Sequence, residues 1–405
     1  MYNFEVLTNT FNGPGRTRVN FDFDVLSQPS SLYSHHLARF CSQFCAVGYE
    51  LPRGKTPVEK CGGFRLFQKL DCEDIRAFGD AGRDEECYVF ANRRLKIGEK
   101  EYTVVFAAFL GSQGGQWYEN FDVGFDANHK GFQAAKEYCR EKLTEYLKET
   151  GAKKGETKLV LTGHSRGGAV TNLIAAEIAD EGIAAEREDI FAYAFASPAM
   201  TQNPDAADEK YSFIFNIINP EDFVPRCVQP EWGFRRYGVT FRLPDSDNCE
   251  NYGEILDKMK ACFSDYTAGR EFYPFKKGEK AVNRLLSAMR KNIDSVDDYY
   301  NKLFPFEGEK MSLFYFFTCS LCRIVGEPEG TPLNKSGVQN LMKGLTANGL
   351  FRQVALFFVG YEGLHGVTKG KISNAYFSLA HDMSAYSAYM LVTEQEDLIS
   401  EEITM

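Results

Sequence analysis

The stretch "KLVLTGHSRGGAVTNLIAAEIAD", from Lys158 to Asp180, constrains the fold more than any other part of the chain. Lys158 to Thr162 is an apolar run short enough to be a buried strand. It runs into a turn holding Gly163, Gly167 and Gly168, and then into a small-residue and aliphatic segment with the composition of a helix packed on a sheet. The same alternation recurs on both sides. "CYVFA" from Cys87 and "EYTVVFAAF" from Glu101 read as strands with "NRRLKIGEK" as the turn between them, and Phe132 to Lys148 reads as a helix. A glycine-punctuated linker, Gly151 to Glu156, leads to the central strand, and the runs "IFAYAFA" from Ile190 and "FIFNII" from Phe213 follow the glycine-rich turn. Buried strands alternating with helices imply βαβ units, so the expected class is α/β, with a mainly parallel sheet flanked by helices. The chain is expected to start irregularly and then to form a helix over 31–47, where Leu37, Phe40, Cys41 and Phe44 fall at helical spacing.

From about Pro244 to Lys371 the texture changes. Val282, Leu285, Leu286, Met289, Ile293 and Val296 follow spacings of three and four, and further helical patterns lie around Leu341 and from Arg352 to Val359. This segment reads as a helical insertion over 244–371, with 1–243 and 372–405 forming the core. Apolar stripes at helical spacing suit either a cap over a binding groove or ordinary packing on the core.

Composition narrows the function. A formal net charge of −10 without any long Lys or Arg run argues against nucleic acid and against electrostatic docking on anionic lipid. The N-terminus "MYNFEVLTNTFNGPG" lacks a basic segment followed by an apolar one, and the longest apolar run, Met311 to Val325, is short for a membrane span. Eleven cysteines cannot all pair with one another, which favours a reducing compartment and a cytoplasmic location. Cys319 and Cys322 form the single CxxC; with apolar neighbours and no second pair they read as buried thiols. No metal or nucleotide motif is present, and no cofactor is expected. Nothing in the sequence fixes an oligomeric state.

Gly163 to Gly167 fits GxSxG, the pattern that lifts a serine onto a sharp strand-to-helix turn. A serine hydroxyl needs a base to take its proton, and the base needs an acid to fix its tautomer. For the acid, Asp222 lies in "NPEDFVPR", the loop leaving the Phe213 to Ile218 run, where an open α/β sheet places functional residues; Glu221 is the neighbouring alternative. Of six histidines, two follow the serine: His381 in "SLAHDMSAY", at the start of the last helix, and His365 in the glycine-rich "EGLHGVTKG". His35, His36, His129 and His164 are less suitably placed. The backbone N–H of Arg166 would serve as one oxyanion donor, and the loop "FLGSQGGQW" would supply a second through Ser112 or Gln113.

These residues resemble the class 3 (fungal-type) lipases of the α/β-hydrolase superfamily, and within them a bacterial lipase-like branch. "GHSRGGAVTNL" is similar to the family's elbow, with Arg166 where GHSLGG is usual. "VVFAAFLGS" with Trp117 and Asn120 is similar to its strand and oxyanion loop, and "HKGFQAA" to the segment after it. "YAFASP" and "FNIINPEDFVPR" are similar to its later strands and acid loop, and "WGFRRYG" to what comes next. The matches run in the family's order over about residues 30 to 245. Carried over by position, the resemblance implies an α/β-hydrolase fold, Ser165 as nucleophile, Asp222 as acid and His381 as base, and it raises Ser112 as the oxyanion residue. The family usually has Arg before the oxyanion glycine, whereas Leu110 precedes Gly111 here, and the stretch between Asp222 and His381 is long for the family. The implied activity is a serine carboxylester hydrolase acting on a lipid or acyl ester, with transient contact at a lipid interface. The alternatives are a soluble short-chain esterase, a thioesterase or a phospholipase A1, and, outside enzymes, a non-catalytic hydrolase scaffold that binds a lipid or protein.

Overall fold

The computed structural model describes the chain apart from residues 11–12, 51–57, 80–85, 113–115, 117–118, 273–277, 307–308, 319–375 and 402–405. Gln113, Trp117, Cys319, Cys322, His365 and the patterns around Leu341 and from Arg352 to Val359 lie outside the described residues.

The chain opens with an antiparallel hairpin, β1 (Tyr2–Thr10) and β2 (Gly13–Phe21), where an irregular start was expected. The signal is a period of two: Val6, Thr8, Thr17, Val19 and Phe21 face inward, and the charged residues interleaved with them mask the apolar pattern. Helix α1 (His35–Gly48) follows, capped by the Ser34 side chain, and then α2 (Gly62–Lys69).

An eight-stranded sheet comes next. β3 (Glu73–Phe78), β4 (Tyr88–Ile97) and β5 (Lys100–Phe109) pair antiparallel. β6 (Thr157–His164), β7 (Ile190–Phe195), β8 (Ile214–Ile218) and β9 (Val239–Arg242) continue from β5 in parallel, and the short β12 (Ile399–Ser400) closes the far edge antiparallel to β9. The stretch expected to be a turn between β4 and β5 is instead the second half of β4: Leu95 and Ile97 turn inward between the exposed Arg94 and Lys96, and only Gly98 and Glu99 make the turn. β6, β7 and β8 are buried along their whole length, as parallel strands covered on both faces must be.

Helices α3 (Lys130–Glu149) and α4 (Arg166–Glu181) cover one face through Phe132, Cys139, Leu143, Leu173 and Ile174. The other face packs on α1, α2, the β1–β2 hairpin, α5 (Tyr252–Tyr266), α9 (Tyr376–His381) and α10 (Met383–Val392). The segment 244–371 is used in two ways. α5 packs by Ile255, Met259 and Phe263 into this second core. α6 (Gly278–Asn292), α7 (Val296–Asn301), the small β10–β11 pair (Phe304–Phe306, Glu309–Met311) and α8 (Leu313–Phe316) instead join a third apolar cluster with Val123, Ala199, Phe223, Trp232 and Phe234. That cluster lies beside the loops leaving the carboxyl ends of the strands.

Candidate active site

β6 ends at His164 and α4 begins at Arg166, so Ser165 alone makes the corner, at φ 60° and ψ −127°. A non-glycine residue in that region is strained, and the strain is held by close backbone packing on every side. A Cβ on Gly163 would lie 2.2 Å from the Gly167 carbonyl oxygen, and one on Gly167 would lie 2.1 Å from that of Phe109. Only glycine admits this approach. The Gly168 and Ala169 N–H groups close on the Ser165 carbonyl at 2.9 and 3.2 Å. The N–H of Arg166, at the first position of the helix, has no intrahelical acceptor to meet.

His381 Nε2 lies 2.9 Å from Ser165 Oγ and His381 Nδ1 lies 2.8 Å from Asp222 Oδ2. All three side chains are buried. Asp222 sits in the loop after β8. Its second oxygen accepts the Val224 N–H at 2.9 Å, while Oδ2 also accepts the Tyr386 hydroxyl at 2.9 Å. Glu221 diverges: its N–H is taken by the Asn219 side chain, and its own side chain is partly exposed. His381 ends α9 rather than starting the last helix, because Asp382 stops one helix and caps the next through the Ser384 N–H.

Two groups in this assembly have no signal in the GxSxG pattern. Tyr386 donates to Asp222 and accepts the Asn219 N–H at 2.8 Å; burial raises its hydroxyl well above the usual tyrosine value, which keeps it a donor. Its place five residues after His381 is the only trace in the sequence. His164, set aside as a base, holds the back of His381: its Nε2 lies 2.8 Å from the His381 carbonyl, and its Nδ1 lies 2.7 Å from the Tyr49 hydroxyl. Burial lowers the His164 pKa well below the usual histidine value, with the neighbouring His381 adding to the effect. A neutral ring with its proton on Nε2 satisfies both contacts, with Tyr49 donating to Nδ1. The Tyr49 hydroxyl in turn accepts the Gly111 N–H at 2.8 Å.

That bond brings the loop after β5 against the serine. A Cβ on Gly111 would lie 3.1 Å from the Ser165 Cβ, and Leu110 is buried. Because the Gly111 N–H is spent on Tyr49, Ser112 is the first residue of the loop with a hydroxyl to offer. Its Oγ accepts the Asn120 amide at 2.8 Å. Asn120 belongs to the turn Glu119–Phe121, which α7 holds from the other side: Tyr299 donates to the Phe121 carbonyl at 3.1 Å and Tyr300 to Asp122 at 2.8 Å. A recess between this turn, the acid loop and the insertion is lined by Phe121, Val123, Phe223, Trp232, Met289 and Phe317, among others. No group of His, Cys, Asp and Glu among the described residues has the arrangement of a metal site.

Residues 99–231 match the class 3 lipase family. A search of the curated proteins finds no match. Similar solved structures include a fungal lipase–inhibitor complex (17% identity over 53% of this chain and 81% of that one, TM-score 0.39). Others are the mono- and diacylglycerol lipase from Aspergillus oryzae (18%, 54% and 82%, 0.39) and the Rhizomucor miehei triacylglyceride lipase (18%, 52% and 80%, 0.35). The family match spans the elbow, the strands on both sides of it and the acid loop, and over those residues the chain is similar to the class 3 lipases, a family of carboxylic ester hydrolases; its mainly parallel sheet flanked by helices is an α/β fold of the hydrolase type.

Proposed function

We propose that the protein hydrolyses acyl esters of lipids through Ser165, His381 and Asp222. The observation that carries this reading is the unbroken line of hydrogen-bond contacts from Ser165 Oγ through both nitrogens of His381 to Asp222, at 2.9 and 2.8 Å. In the first half-reaction Ser165 Oγ attacks the ester carbonyl carbon and its proton passes to His381 Nε2, while Asp222 holds the Nδ1 proton and stabilises the imidazolium. The carbonyl oxygen becomes an oxyanion beside the Arg166 N–H and Ser112. The Asn120 amide donates into Ser112 Oγ at 2.8 Å, and the Ser112 hydroxyl, which also reaches Asn120 Oδ1 at 3.2 Å, exchanges that longer contact for the oxyanion. Collapse of the tetrahedral intermediate breaks the ester C–O bond, and His381 returns the proton to the departing alcohol. Water then repeats the attack on the acyl-enzyme, with His381 as base, and releases the carboxylic acid and free Ser165.

The insertion supports a lipid acyl chain as the substrate group. The recess beside Phe223 and Asn120 is walled mainly by apolar side chains, to which the insertion adds Met289, Tyr299 and Phe317, so in this reading 244–371 contributes part of the acyl-binding wall or a cap. Phe125, Leu303 and Tyr315, close in sequence to lining residues, are more than half exposed and suit transient contact with a lipid interface. Among the described residues no helix is long and apolar enough to cross a membrane.

Hydrolysis of p-nitrophenyl esters of increasing chain length tests the reading. Wild type is expected to cleave medium and long acyl esters, with Ser165→Ala and His381→Ala each losing turnover by about 10⁴-fold or more. A sharp fall beyond short acyl chains would make the protein a short-chain esterase. Turnover retained in His381→Ala but lost in His365→Ala would move the base.

A further inference from the structure

Arg166 stands where the family usually has Leu, and its side chain is not at the surface. The guanidinium is 1% exposed and gives Nη2 to two carboxylates, Glu86 at 2.6 Å and Glu119. A buried arginine is retained only where its partners compensate its lost hydration, and breaking one partner of a buried pair costs more than the pair contributes. The two partners differ. Glu86, just before β4, is largely buried, and burial raises its pKa despite the arginine. Glu119 is 50% exposed and begins the Glu119–Phe121 turn.

That turn reaches the loop that packs against Ser165. Asn120, the next residue, donates its amide to Ser112 Oγ at 2.8 Å. The other side of the turn is fixed by packing: a Cβ on Gly131 would lie 2.0 Å from the Glu119 carbonyl oxygen, and the Gly131 and Lys130 N–H groups bond the Asp122 and Val123 carbonyls at 3.1 and 2.8 Å. The helix that carries the nucleophile at its N-terminus therefore also carries, on its first side chain, an ion pair to the turn that sets Ser112.

We infer that Arg166 is a positioning residue that clamps the Glu119–Phe121 turn to the nucleophile helix and so fixes Ser112 as an oxyanion donor. Its backbone and its side chain then act on the same oxyanion, one directly and the other through Glu119, Asn120 and Ser112. The clamp rests on the proposed Ser165 mechanism. It acts on the transition state more than on the bound ester, because Ser112 meets an oxyanion only once the carbonyl has been attacked.

Glu119→Ala opens the clamp while leaving Arg166 paired with buried Glu86, so the fold is retained; Glu119→Gln keeps an acceptor oxygen for Nη2. The probes are p-nitrophenyl butyrate and an alkylboronic acid. On the boronic acid, Ser165 Oγ adds to trigonal boron and its proton passes to His381, leaving a tetrahedral anion in the oxyanion position. Glu119→Ala is expected to lower kcat about ten- to a hundredfold with KM within about threefold, and to weaken boronate affinity by a similar factor. Glu119→Gln is expected to recover most of both. Ser165-dependent hydrolysis with kcat and boronate affinity unchanged in Glu119→Ala would overturn the clamp alone, as would a loss that falls wholly on KM. Wild-type turnover that survives in Ser165→Ala would overturn the mechanism, and the clamp with it.

Discussion

Replacing Tyr386 by Phe removes one oxygen that serves two partners. The hydroxyl donates to Asp222 Oδ2 at 2.9 Å and accepts the Asn219 N–H at 2.8 Å, and Tyr386 and Asp222 are both fully buried. A hydrogen bond to an ionised carboxylate contributes about 1.5–3 kcal/mol, and a buried N–H left without an acceptor costs about 1–3 kcal/mol. A loss of about 3 kcal/mol in stability is therefore expected, read as a lower urea midpoint at unchanged slope. The effect on turnover is smaller, since Asp222 keeps the Val224 N–H and His381 as partners. A carboxylate left free to rotate weakens its hold on Nδ1, and a fall in kcat of about tenfold, or ~1.4 kcal/mol, follows. KM should hardly move, because the tyrosine lies behind the acid and away from the acyl recess. A variant with wild-type kcat and a lowered urea midpoint would refute the positioning role and leave Tyr386 as core packing alone.

Three further outcomes follow from the same geometry. Tyr49→Phe removes the hydroxyl shared by Gly111 and His164, so it should lower kcat several-fold with a stability loss of about 2 kcal/mol by chemical denaturation. Gly167→Ala places a methyl 2.1 Å from a backbone oxygen that cannot give way, and should cost about 3 kcal/mol or more, read as loss of soluble protein or a large fall in thermal midpoint. Burial, with the Arg166 charge adding to it, lowers the His129 pKa to about 3 against an ordinary 6.5. The folded state then binds fewer protons than the unfolded state between those values, so stability falls as pH drops through that window, by about 1.4 kcal/mol per pH unit. His129→Phe should flatten the slope of unfolding free energy between pH 6 and 4 by that amount, and an unchanged slope would remove His129 as its source.

The strand runs and the elbow were legible because continuous apolar segments such as Ile190–Phe195 have no other place than a sheet covered on both faces. The β1–β2 hairpin and the second half of β4 were not, because half-buried strands spend every other position on polar residues and resemble loops in composition. Chain order and strand ends pointed to Ser165, to Asp222 and to His381 or His365, and the resemblance to class 3 lipases chose His381; the structure brings Ser165, His381 and Asp222 within hydrogen-bond distance. The groups behind them could not be named. Tyr386, Tyr49 and the His164 side chain reach the site from α10, the residue after α1 and the end of β6, and only tertiary packing brings those elements together. The GxSxG pattern points to the Arg166 backbone N–H alone; that its guanidinium finds Glu86 and Glu119 depends on contacts 80 and 47 residues away in the chain.

The proposed mechanism makes Ser165 a nucleophile activated by His381. The most direct measurement is intact-protein and peptide mass spectrometry after treatment with a fluorophosphonate, on wild type, Ser165→Ala and His381→Ala. Wild type is expected to carry one phosphonyl adduct, mapped to the peptide holding Ser165, with no adduct on Ser165→Ala and strongly slowed labelling of His381→Ala. A wild-type protein that hydrolyses esters yet takes no adduct, or that carries the adduct on another residue, would contradict the mechanism.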